Sequence, residues 1–208
     1  MVLRSKGVQS WARRLHIYIS MALLFVVLFF SITGITLNRP DWFVSNKPTV
    51  TEQVLSIPSE VVFVSDSFKP NQEGILRYLQ QHADIAGHPS ALDSYIESED
   101  GELIDAEISF DYKGPGFSSS VFIEPLTQNV RIETTHYGLV AVLNDLHKGR
   151  NTGEIWKWFI DITALLMVVF VLTGVCLLLP KRKSLQLALK WTAFGSVISL
   201  AVFFFFVP

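Results

Sequence analysis

The sequence predicts an α-helical membrane protein: three transmembrane helices, with a small α+β domain between the first and the second. Three observations carry that prediction. Three long stretches hold almost no charge, the acidic residues gather between the first two of them, and that middle segment turns from a helical pattern to strands. Half of the 208 residues are hydrophobic and only 17% are charged, with a mean hydropathy of +0.36; a soluble domain carries about a quarter charged residues. This balance excludes a disordered, collagen-like or nucleic-acid-binding chain.

The first span, 15–37, runs 23 residues without a charge, where roughly 20 are needed to cross about 30 Å of hydrocarbon. A cleaved signal peptide would have an apolar core of about 7–15 residues before a small-x-small site, whereas Asn38-Arg39-Pro40-Asp41-Trp42 follows here. The second span is 155–179, apolar from about Trp158, with Asp161 near its start. The third is 187–207, with Lys190 close enough to its end to snorkel. All 19 acids lie between Asp41 and Asp161, and 41–154 holds 18 of them against 7 bases, a net −11. The N-terminal 1–14 segment and the 181–190 hairpin are each +4. By the positive-inside rule the basic N-terminus and the 180–186 loop lie in the cytoplasm, and 38–154 and the C-terminus lie outside. Cys176 is the sole cysteine, so neither an intrachain disulfide nor a cysteine metal cage is available.

Within the outer domain, Ser67-x-x-Pro70 followed by Ile75, Leu76, Leu79 and Ile85 predicts a helix over 71–85. After Gly87-His88-Pro89 the pattern predicts strands at 91–98 and 102–112 across an Asp100-Gly101 turn. Gly114-Pro115-Gly116 punctuates, and strands at 118–124 and about 128–134 follow. A second helical pattern at 137–148 carries an apolar stripe suited to the membrane surface.

One repeat stands out. Ile32-Thr33-Gly34-Ile35-Thr36-Leu37 with Pro40 recurs as Leu172-Thr173-Gly174-Val175-Cys176-Leu177 with Pro180, on spans expected to run in opposite directions. Small residues of this kind let helices pack closely; alternatively, each glycine clears space for something flat. Thr33 and Thr173 are expected to bond back to their own helix carbonyls.

Trp11-x-Arg13-Arg14-Leu15-His16-x-Tyr18-x-Ser20 and the first Thr-Gly resemble the first span of the PepSY-associated transmembrane family. The likeness continues in Leu143-Asn144-Asp145-Leu146-His147-Lys148-Gly149-Arg150-Asn151-Thr152-Gly153, in Trp156-x-Trp158-Phe159-Ile160-Asp161 and in the second Thr-Gly. Glu124-Pro125-x-Thr127 followed by Val130 is similar to the strand turn of a PepSY module, with Glu124 where Asp is usual and Gln128 where glycine is usual. The resemblance implies a bacterial inner-membrane protein with a periplasmic PepSY-like domain. Larger relatives are haem-b proteins that reduce ferric siderophores, and others carry a proposed peptidase-inhibitory role.

Against that background His16 and His147 form a pair, one near each membrane face, and haem iron takes axial histidine. Singly, each has a plainer reading, His16 as an interfacial anchor and His147 as an ordinary surface histidine. They cannot share an iron: about 30 Å of hydrocarbon separates the faces, whereas two axial nitrogens lie about 4 Å apart at ~2 Å per bond. Two haems follow, each needing a second histidine. His136 would sit about 16 Å from His147 on a continuous helix, reaching the iron only through a bent connection. The economical source is a two-fold homodimer in which each histidine meets its own mate.

Arg13 and Arg14 inside, and Lys148 and Arg150 outside, suit haem propionates, or alternatively serve as topology signal and surface charge. The outer pair suits an anionic ferric chelate as well. Asp161 pairs with Lys157 at i−4, or orients a histidine ring. Gly34 is expected near the outer haem and Gly174 near the inner one. No hydrolase setting, phosphate loop, flavin or nicotinamide fingerprint occurs, so no catalytic residue is assigned and electrons would come from a cytoplasmic or membrane donor. The expected function is a dimeric haem-b conduit in lipid, two haems per dimer, reducing a ferric siderophore or chelate. The alternative is a haem-free interaction module whose acidic outer domain binds a peptidase or another envelope protein.

Overall fold

In a computed structural model of the protein, residues 2–43, 47–64, 68–99 and 102–208 are described. The chain runs α1 (Lys6–Asn38), β1 (Thr49–Ser56), α2 (Ser59–Val62), β2 (Phe63–Val64), β3 (Lys69–Pro70), α3 (Gln72–His82), β4 (His88–Pro89), β5 (Asp93–Glu99) and β6 (Glu102–Gly114). It continues through β7 (Phe117–Glu124), β8 (Asn129–His136), α4 (Leu139–Lys148), α5 (Glu154–Leu178) and α6 (Arg182–Phe206). Helices α1, α5 and α6 are long and apolar enough to cross a membrane, and a β-sheet domain lies between the first and the second in the chain. Two compact units result: one is the chain up to Leu28 together with the chain from Ile160, the other is Phe29–Phe159.

In the first unit Ala12, Leu23, Thr163 and Thr173 are buried, while α6 carries no buried residue along its 25 positions. The second unit holds an antiparallel sheet in the order β1-β8-β7-β6-β4, with β5 also paired to β6. Alternation fixes its inner face. Ala106, Ile108, Phe110 and Tyr112 point inward from β6, Val121 and Ile123 from β7, and Val130 and Ile132 from β8. Ile75 and Leu79, one turn apart on α3, close this core together with Ile57 and Val62. Each such side chain, fully buried, contributes about 1.5–3 kcal/mol.

Boundaries shift where local chemistry decides them. Helix α3 begins after Asn71, whose side-chain oxygen accepts from the Gly74 N–H at 3.0 Å, an N-cap worth about 1 kcal/mol. It stops at His82 rather than near 85, because Ala83 turns extended (φ −114°, ψ 146°). The start signal at Ser67 and the turn at Asp100-Gly101 lie outside the described residues. Strand β1 was not anticipated. It is an edge strand with its first four residues exposed, so it shows no clear apolar alternation. The predicted helix at 137–148 begins at Leu139, since Gly138 at φ +86° breaks the path from β8. It ends at Gly149 in the left-handed region, where the Gly149 and Arg150 N–H groups donate to Leu146 and Asp145 carbonyls at 3.2 and 2.9 Å, a helix stop of the Schellman kind. His136 therefore ends a strand and shares no continuous helix with His147.

The β7–β8 turn accommodates both departures noted in its sequence. Glu124 accepts from the Thr127 hydroxyl through its carboxylate at 3.0 Å, and Gln128 takes the left-handed conformation (φ +54°) that glycine adopts without cost. A side chain there costs about 1–2 kcal/mol, partly offset by the greater freedom a glycine loses on folding. Gln128→Gly is therefore expected to stabilise the sheet domain by about 0.5–1 kcal/mol, read as a higher thermal midpoint in detergent; a lower midpoint would show that the turn is not under strain.

Candidate functional site

The Thr-Gly repeat builds two seats for histidine, one in each unit. In the first, His16 of α1 lies on Thr173-Gly174 of α5. Its Nδ1 is 3.1 Å from the Phe170 carbonyl and 3.1 Å from Thr173 Oγ1. The ring stacks on Phe170, with centroids 4.4 Å apart and planes 12° from parallel. A carbonyl oxygen can only accept, so Nδ1 carries the proton. Thr173 agrees, because its hydroxyl donates to the Phe170 carbonyl at 2.8 Å and is left as an acceptor.

The second seat repeats the chemistry with different parts. His147, in the last turn of α4, lies on Thr33-Gly34 of α1, with Nδ1 2.7 Å from Thr33 Oγ1. Thr33 donates its own proton to the Phe29 carbonyl at 2.7 Å, so it accepts from His147 Nδ1–H. The edge of Phe30 meets the His147 ring at 5.1 Å. Among the described residues no hydrogen bond reaches Nε2 of either ring. In both seats Nδ1 is placed to donate and Nε2 makes no hydrogen bond to the described residues, the arrangement of a metal-ligating histidine whose other nitrogen is held by a second group.

The glycines clear room for these rings. A Cβ on Gly174 would sit 3.2 Å from His16 Cε1, and one on Gly34 would sit 3.5 Å from His147 Cε1. Each glycine is paired with the histidine expected for it, but the flat object it admits is the imidazole itself. Thr33 and Thr173 do bond back to their own helices, and the same hydroxyls also take the histidines.

Helix α4 is fastened at four consecutive residues. Asn144 Oδ1 accepts from the Thr36 hydroxyl at 2.8 Å, and Asp145 Oδ2 accepts from the Gly116 N–H at 2.9 Å. The Leu146 carbonyl accepts from Trp156 Nε1 at 2.8 Å, and His147 donates to Thr33. Sequence reasoning marked Gly116 only as part of a chain break and gave no role to Thr36, Asn144, Asp145, Trp156 or Phe170. Thr36, Asn144, Asp145 and Trp156 lay inside recognised motifs, whereas nothing set Phe170 apart from the other aromatics of its helix.

The remaining candidates fall outside the seats. Arg13, Arg14, Lys148 and Arg150 are exposed and take part in none of the ion pairs among the described residues. Lys157 reaches Glu154 at 2.7 Å, because the acid in the same first turn of α5 is within reach; Asp161 is exposed and is not its partner. His136 is exposed at the end of β8, tilted against Phe117 at 5.9 Å. His82 caps α3 through the Tyr78 carbonyl at 2.9 Å, and His88 lies 3.4 Å from where a Gly153 Cβ would stand.

Each seat offers a single imidazole donor of the kind haem iron takes. No group of three or more His, Cys, Asp or Glu gathers among the described residues, as a protein-bound ion would need. A haem asks of the protein only one or two axial donors, and each seat presents one free imidazole nitrogen. Beside the His16 seat, sharing Thr173 with it, runs an apolar groove of about 770 Å³ lined by Trp11, Ala12, Leu15, Val169 and Leu172, within the size range of cofactor pockets.

The two glycines should respond differently to substitution. Gly34→Ala places a methyl in ordinary contact and gains up to about 1 kcal/mol of helix propensity, so its thermal midpoint should hold or rise. Gly174→Ala meets a tighter ring and should gain less. Leucine at either position overpacks the seat and should cost about 1–3 kcal/mol. Equal tolerance of leucine and alanine at both positions would contradict the seats.

A family model described as PepSY_TM-like matches residues 10–208, a stretch that includes both histidines, both Thr-Gly pairs and the fastened α4. No curated protein and no solved structure gives a significant match to the chain. On this match the chain belongs to the PepSY_TM-like family.

Proposed function

We propose that the chain is a haem-b electron-transfer protein of the bacterial inner membrane, reducing ferric siderophores or other ferric chelates on the periplasmic side with electrons from the cytoplasmic side. The observation that carries this reading is the state of the two histidines: Nδ1–H held by a buried threonine, Nε2 unengaged, in two separate seats. His16 and His147 would each give Nε2 to a haem iron. A bound haem would supply one-electron redox chemistry at each seat.

The chain's own residues supply the rest. Thr173 and Thr33 fix the tautomer and the ring plane, and Phe170 and Phe30 wall the rings with apolar surface. Arg13 and Arg14, close to His16 in the chain, and Lys148 and Arg150, close to His147, offer cations with no ion-pair partner among the described residues, suited to propionates; the second pair also suits an anionic chelate. Each seat contributes one nitrogen, so the second axial donor comes from a second copy of the chain. In a two-fold homodimer His16 meets its mate and His147 meets its own.

Orientation follows from the charge distribution. With both basic segments inside, a reporter fused after Pro208 should be active only in the periplasm and one inserted near Lys183 only in the cytoplasm. Reversed activities would overturn the direction of electron flow.

Reduced-minus-oxidised spectra of the detergent-purified protein test the ligation. His16→Ala should remove one haem and His147→Ala the other, each variant keeping about half of the pigment because the seats share no ligand. Full pigment in both variants would remove these histidines as ligands. A colourless parent protein would favour a haem-free interaction module.

A further inference from the structure

Helix α4 has ten residues, fewer than the roughly 12–15 an isolated helix needs to persist in water, and Gly138 gives it no side-chain cap. Its position is therefore set by what it is tied to. One of those ties reaches the tip of the β6–β7 hairpin. Gly116 there is held at three points: its N–H donates to Asp145 Oδ2 at 2.9 Å, its carbonyl accepts from the Tyr137 N–H at 2.9 Å, and its bare α-carbon is pressed against Val142. At φ +76°, with Val142 where a Cβ would stand, the position admits only glycine. Strands β6 and β7 pair without a register break from Ile108↔Ile123 to Gly114↔Phe117, so the tip moves with the sheet.

Asp145 stands two residues before His147 on the same short helix. Among the described residues the His16 seat has no counterpart to this tie to the sheet: its contacts come from α1 and α5, helices of 33 and 25 residues. We propose that Asp145 is a positioning residue, which through the Gly116 N–H places His147 on Thr33 and makes that seat, and not the His16 seat, depend on the β6–β7 hairpin. The bond joins a carboxylate to a backbone N–H, the stronger, charge-assisted kind. The redox readout of this proposal rests on the haem reading above; the exchange readout does not.

The test compares Asp145→Ala with Asp145→Asn in the full-length protein, since asparagine keeps an oxygen that can accept from Gly116. Asp145→Ala should shift the spectrum and midpoint potential of the haem that His147→Ala removes and leave the other haem as in the parent. In the same samples, amide hydrogen exchange over residues 139–148 should rise about tenfold, as expected for losing one charge-assisted bond. Asp145→Asn should restore most of both effects. The unperturbed His16-linked haem reports that the protein is folded. Equal disturbance of both haems, no disturbance of either, or an Asn variant as damaged as the Ala variant would overturn the proposal. If the parent protein carries no pigment, exchange alone decides: faster exchange in Ala, rescued by Asn, sustains the positioning role, and unchanged exchange overturns it.

Discussion

A threonine hydroxyl has one proton to give, and in both seats it gives it to a helix carbonyl about one turn back. Everything chemical about the two histidines depends on that constraint. Once the proton is committed, the oxygen can only accept, and the imidazole facing it must bring its own hydrogen on Nδ1. Nε2 is then the basic nitrogen. At His16 the Phe170 carbonyl enforces the same choice independently. Both threonines are buried, Thr33 at 2% exposure and Thr173 at 9%, so neither hydroxyl turns readily to water and the tautomer is fixed by the helices themselves. The glycine beside each threonine is the steric half of the same device, since a side chain as large as leucine would push the ring away from its acceptor.

The two seats differ in how they are supported. The His16 seat needs only a pair of long helices. The His147 seat needs a short helix stopped at Gly149 and fastened through Asn144, Asp145 and Leu146 to α1, the β6–β7 hairpin and Trp156. Those bonds draw on three different elements, so His147 registers the geometry of the folded sheet domain. Its core, closed by α3 over β6, β7 and β8, therefore bears on the geometry of the His147 seat as well as on stability.

Much of this was legible in the sequence. The three apolar helices, the α3 stripe of Ile75 and Leu79, and the strands β5 to β8 follow from hydrophobic period and turn residues. Edge strand β1 and the two-residue strands β2, β3 and β4 did not, because β1 opens with four exposed residues and two residues are too few to show an alternation. The histidines and the Thr-Gly pairs could each be picked out, and the glycines could be matched to the right histidines. What the sequence could not tell was that the ring itself fills the space, because the contacts join residues 157 and 114 positions apart. The Lys157–Asp161 pairing lost to Glu154 for a local reason: two acids lay within one turn of the lysine, and period alone does not choose between them. Gly138 was a sign that 137–148 would not begin as helix, and it also separates His136 from the helix of His147.

The central claim is the protonation state of the two rings, and ring nitrogen-15 NMR of histidine-labelled protein, prepared without haem, reads it directly. His16 and His147, assigned by loss of each signal in its alanine variant, should show a protonated Nδ1 and an unprotonated Nε2. Thr33→Val should release only His147 to the mixed tautomers of a free side chain, whereas in Thr173→Val the Phe170 carbonyl alone should keep His16 protonated on Nδ1. A protonated Nε2 on either ring in the parent protein would contradict the account.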